Sequence, residues 1–171
     1  MKRYEITKYE NKDGIIEKQE WIAISDIGGT FGGVVLTPEK YRETEDKYVK
    51  VITRILEYMN IQKCSIKNLV KCSLIKERFC DVEVSQEVQE LYNERLWHTY
   101  DTIKDGDQID ISVVEDIIRL LLREDIYCKV YVPYRFKLFI GYDYMTEVLV
   151  SKTLDSILKE LNEMGLYVFE F

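Results

Sequence analysis

The last third of the chain sets two periodicities side by side, and together they restrict the fold more than any other feature. Tyr127 to Val132 alternates apolar and polar residues, Phe136 to Tyr142 does so again, and Glu147 to Val150 gives a third short run. Alternation sends every second side chain to one sheet face, so these segments read as half-buried strands. Ser151 to Met164 then changes to helical spacing, with Leu154, Ile157, Leu158 and Leu161 on one side. Gly165 stands where a left-handed glycine ends a helix, and Leu166 to Phe171 closes as a strand. Strands that follow one another without a helix between them do not make a doubly wound sheet. The expected class is α+β, a mostly antiparallel sheet packed with about four helices.

The front of the chain fits the same class. Tyr4 to Tyr9 alternates, Asn11-Lys12-Asp13-Gly14 is a turn cluster, and Ile15 to Ser25 reads as a second strand, which predicts a hairpin. Asp26 to Gly33 is a glycine-rich loop, and Val34-Val35-Leu36 a short strand. Thr37-Pro38 marks a helix start, with Thr as cap and Pro in the first turn. That helix should run to about Met59, burying Tyr41, Tyr48, Ile52, Ile55, Leu56 and Met59 while Glu43, Glu45, Asp46 and Lys47 face water. Ser65 to Leu74 reads as a strand, Ser85 as the cap of a helix to about Trp97, and Ser112-Val113-Val114-Glu115 as a capping box opening a broadly buried helix.

At 171 residues the chain suits one domain, spanning residues 1–171, with no repeat or linker. No run approaches a membrane span, and the start lacks a signal-like apolar stretch, so a cytoplasmic, non-secreted protein is expected. The net charge of −7 repels nucleic acid and anionic lipid and favours a basic protein partner. Thirteen Tyr against 6 Phe supply rings with polar tips, a type that suits interfaces as well as core margins.

Four features could carry chemistry. Asp26-Ile27-Gly28-Gly29-Thr30, after the strand-like Ile22-Ala23-Ile24, resembles the first phosphate segment of sugar kinases and actin-like ATPases. That fold needs a second lobe and a second phosphate loop, and the chain holds neither; a plain glycine-rich loop explains the segment. Asp101 to Asp110 resembles a calcium loop but has Ile103 and Ser112 where ligands belong, so an acidic turn is expected. Cys64, Cys72 and Cys80 stand eight residues apart, too far for the close pairs of a zinc site; with Cys128 they read as thiols. His98 is the only histidine, a thin basis for acid–base chemistry. No cofactor or metal is expected.

Three blocks together resemble immunity proteins of bacterial polymorphic and contact-dependent toxin systems. They are Ser25-Asp26-Ile27-Gly28 with Leu36-Thr37-Pro38-Glu39-Lys40-Tyr41 and Glu45-Asp46-Lys47-Tyr48; Phe139-Ile140-Gly141-Tyr142-Asp143-Tyr144-Met145; and Gly165-Leu166-Tyr167-Val168-Phe169-Glu170. The resemblance implies a non-catalytic protein that neutralises a cognate toxin, a basic nuclease being the natural target of an acidic inhibitor. The contacts expected are Asp26, Glu43, Asp46, Tyr142, Asp143 and Tyr144, with Asp143 and its two flanking rings projecting outward past a strand end. Two alternatives stand beside it: a small nucleotide- or phosphate-binding enzyme using Asp26, Gly28, Gly29 and Thr30, and a structural subunit of an assembly. The oligomeric state stays open.

Overall fold

The computed structural model describes residues 1–10, 20–72 and 86–171. The turn expected at 11–14, the first part (15–19) of the strand expected from Ile15 to Ser25, Cys80 and the Ser85 cap lie outside the described residues. Strands β1 (Lys2–Thr7), β2 (Thr30–Phe31) and β3 (Val34–Val35) precede the long helix α1 (Pro38–Tyr58). Strand β4 (Lys63–Lys71), helices α2 (Gln86–Gln89) and α3 (Glu94–Thr102), strand β5 (Gln108–Asp110) and helix α4 (Ile111–Leu122) follow. The C-terminal part holds β6 (Ile126–Val132), β7 (Phe136–Ile140), β8 (Thr146–Val150), helix α5 (Leu158–Glu163) and β9 (Tyr167–Glu170).

Seven strands form one sheet in the order β5-β4-β6-β7-β8-β1-β9, and every neighbouring pair is antiparallel. The α+β class therefore holds. Among the described residues strand β1 does not pair with the segment that comes next in the chain. It lies between β8 and β9, so the chain's two ends are joined through the sheet. Among the described residues of the expected hairpin partner, Ile24–Asp26 is a single 3-10 turn, because Asp26 ties back to the backbone before it.

One face of the sheet carries Tyr4, Ile6, Ile66, Val130, Phe136, Leu138, Val148 and Val150, all fully buried in one core with the apolar sides of α1 and α4. Tyr41, Tyr48, Ile52, Ile55 and Leu56 recur on α1 at the expected spacing, and Thr37 caps it by accepting the Lys40 amide at 3.4 Å. The alternate residues of the same strands, among them Arg3, Glu5, Lys67, Lys129, Tyr131, Lys137, Phe139, Glu147 and Leu149, lie on the opposite face, none of them fully buried.

Four local expectations are corrected. Glu45 does not face water; it is 0 % exposed, because Arg119 and Arg123 of α4 reach it. The helix placed from Ser85 to Trp97 is broken: Asn93 caps a new helix by accepting the Leu96 amide at 2.8 Å, and that helix runs on to Thr102. Helix α4 begins one residue before the supposed Ser112 cap, and the Ser112 carbonyl instead accepts from Arg95. The last helix is shorter than Ser151 to Met164. Residues 151–157 fold as turns, pinned where the Leu154 amide donates to the Tyr4 hydroxyl at 3.0 Å.

Candidate functional site: an acidic and aromatic end of the sheet

At the end of the sheet where β1 finishes and β7 turns into β8, a tight turn of Gly141–Met145 joins the strands, closed by the Gly141 amide on the Met145 carbonyl at 2.8 Å. Asp143 and Tyr144 both sit in the left-handed region, at φ 57° and 62°. Two successive non-glycine residues there cost free energy, and such conformations concentrate at functional surfaces.

This backbone separates the two side chains. Tyr144 turns inward and is 3 % exposed, packed edge-on against Trp21 at 5.3 Å and Tyr41 at 6.3 Å and tilted against Tyr48 at 5.6 Å. Its expected outward projection is corrected: the ring anchors the turn. The Tyr48 hydroxyl donates to the Tyr144 carbonyl at 3.0 Å and accepts the Lys8 amide at 2.8 Å, binding α1, β1 and the turn together. Asp143 stays on the rim, half-buried. The side chain of Tyr142 lies outside the described residues.

Lys8 fills the space between the rings. Its ammonium lies 3.5 Å from the Trp21 ring centre and 4.6 Å from that of Tyr9, a cation–π arrangement. It donates to the Trp21 carbonyl and pairs with Glu20 at 3.7 Å. Burial pulls the Lys8 amine down to about 8, against the opposing fields of Glu20 and Asp26. Burial likewise raises the Tyr9 phenol, and the charges of Asp143, Glu20 and Asp26 raise it further. Three carboxylates thus act on one phenol. Lys8, Tyr9, Glu20 and Trp21 were absent from the sequence-based site. The only signal for them was the unusual density of rings and charges on either side of residues 11–19.

Asp26 accepts the amides of Ile22 at 2.7 Å and Ala23 at 3.0 Å, so its carboxylate shapes the loop as well as charging the rim. The glycine loop after it uses its amides internally. Gly28 donates to the Leu36 carbonyl at 2.8 Å and Gly29 to the Asp26 carbonyl at 2.9 Å, the groups a phosphate would require. Glu43 is exposed on α1, whereas Asp46 is bound to Arg119 at 2.6 Å and belongs to a different set of contacts. The structure therefore gathers Asp26, Asp143 and Tyr144 at one end and leaves Asp46 elsewhere.

The other candidates have structural employment. Asp105 accepts the Leu69 amide and Asp107 the Lys104 amide, so the acidic turn pins β4. Burial pushes the Cys64 thiol up to about 11 and the Cys128 thiol up to about 12. His98 is exposed in mid-helix on α3. Among the described residues no group of metal-binding side chains gathers, and no helix is long and apolar enough to cross a membrane. No protein-family model, no curated protein and no solved structure matches the chain.

Proposed function

We propose that this chain is an immunity-type protein that binds a cognate toxin and neutralises it by covering its working surface. The observation that carries the reading is the Asp143–Tyr144 turn. A strained backbone holds one carboxylate at the rim while its neighbouring ring locks the turn into the core. Asp143, Asp26 and Glu20 then form a preorganised acidic edge around the Lys8 cage, and preorganisation lowers the ordering cost of association. A basic partner, such as a toxin that grips phosphate backbones, is the class that such an edge attracts and steers.

The test is co-expression with the protein encoded beside this one. Growth of cells making the toxin should be restored by the wild-type chain and not by an Asp143→Lys variant that retains its fold. Failure of the wild type to restore growth, with no complex on gel filtration, removes the proposal.

A further inference from the structure

The face of the sheet turned away from α1 and α4 carries a feature opposite in sign to the protein as a whole. Lys67 on β4 stands directly opposite Lys129 on β6. Lys137 on β7 is paired with Tyr131, two residues further along β6. Like charges directly opposite one another weaken a sheet. Among the described residues none of these three lysines has a carboxylate within salt-bridge distance. The nearest acid in the register, Glu147 opposite Phe139, is already held by Arg3.

The lysines border a shallow depression of about 520 Å³, floored by Tyr131, Phe139 and Leu149 and edged by Asn68. Phe139 is 49 % exposed, unusual for a ring in mid-strand. Asn68 has φ 60° and lies within the interruption of register between Lys67 and Val70. Such bulges re-aim a side chain and recur beside binding sites. The Leu69 amide, bound by Asp105 at 2.9 Å, holds the bulge in place.

We propose that this face is a binding surface for a single-stranded nucleic acid. Lys67, Lys129 and Lys137 would take phosphates, Phe139 and Tyr131 would stack on bases, and Asn68 would meet a base edge. A flat sheet with exposed rings receives splayed bases, and stacking tolerates any base. A duplex keeps its bases stacked on one another and offers these rings nothing. An acidic peptide would use the lysines and leave the flat rings without a matching partner. The net charge of −7 argues the other way, but a screening length of about 8 Å lets a local cluster act on its own. The proposal is independent of the acidic edge and of toxin binding.

Fluorescence anisotropy of the full chain with a labelled oligothymidylate tests it, with a duplex of equal length and polyglutamate as competitors. Saturable binding is expected, falling at least tenfold in Lys129→Glu and Lys137→Glu and several-fold in Phe139→Ala, with circular dichroism unchanged. The logarithm of affinity should fall with the logarithm of salt concentration at a slope of about −2, the sum for three phosphates on a single strand. No binding at low salt, equal competition by duplex or polyglutamate, or affinity indifferent to these substitutions would overturn it. Asp143→Lys should leave oligonucleotide binding intact, which separates this result from the toxin test.

Discussion

Glu45 of α1 and Arg123 of α4 meet in a bidentate ion pair with no access to water, Nε to Oε1 at 2.7 Å and Nη2 to Oε2 at 2.8 Å. Arg119 adds a third bond to the same carboxylate at 2.6 Å, and the Arg123 guanidinium also donates to the Leu91 carbonyl and lies over the Tyr92 ring. The buried guanidinium thus donates to Glu45 on α1 and to the segment before α3. Removing Glu45 leaves Arg123 charged and buried without its carboxylate, and removing Arg123 leaves the buried Glu45 to Arg119 alone.

Glu45→Ala or Arg123→Ala should each cost about 3–5 kcal/mol of stability, measured by urea unfolding. The double variant Glu45→Leu with Arg123→Met should cost less than either single change, because apolar groups of similar size need no partner. Losses that add in the double variant would show that the pair is not acting as one unit.

Tyr144→Ala should cost about 3–5 kcal/mol, the usual range for deleting a large buried ring, since it empties the space among Trp21, Tyr41 and Tyr48. Asp143→Gly should do the reverse, because glycine adopts a positive φ without strain. A small rise in melting temperature, with weaker partner binding, is the expected combination; a fall in melting temperature would remove strain from the description of this turn.

Lys8 gives stability a particular pH dependence. Its amine is lowered in the folded state, to about 8 from 10.5, so between those values the unfolded chain binds more protons. Stability must then rise with pH through that window. The buried phenols of Tyr9, Tyr41, Tyr48, Tyr92 and Tyr144 are raised by burial, so above pH 10 the folded chain holds more protons and stability falls. Compared from pH 7 to 11, the unfolding free energy of the wild type should gain on that of Lys8→Met as Lys8 loses its proton. A constant difference would contradict the buried amine.

The thiols offer a check on packing. In a variant lacking Cys72 and Cys80, Cys64 and Cys128 should react with Ellman's reagent at pH 8 only as fast as the protein unfolds, because burial keeps both protonated. Rapid reaction of the native variant would place them at the surface.

Much of this fold was legible in local pattern. Alternation marked β6 and β7, and Thr37-Pro38 with helical spacing marked α1. What local pattern misses is pairing at a distance. Nothing near Glu45 announces that Arg119 and Arg123, more than seventy residues later, will bury it. Strand β1 alternates correctly, yet its partners are the last strands of the chain, and the hairpin reading follows only from adjacency. The position of Asp143 in the turn past β7 was legible from its place after a strand. The inward turn of Tyr144 depends on a left-handed backbone that the residue types do not signal. Lys67, Lys129 and Lys137 are ordinary polar phases of their strands until the register sets them together.

The most direct measurement is the affinity of the purified chain for the protein encoded beside it, by isothermal titration, for the wild type and for Asp143→Lys. The account predicts a tight complex whose affinity falls at least tenfold on reversing that one charge, with the folded structure unchanged by circular dichroism. A complex indifferent to Asp143→Lys, or no complex at all, would contradict it.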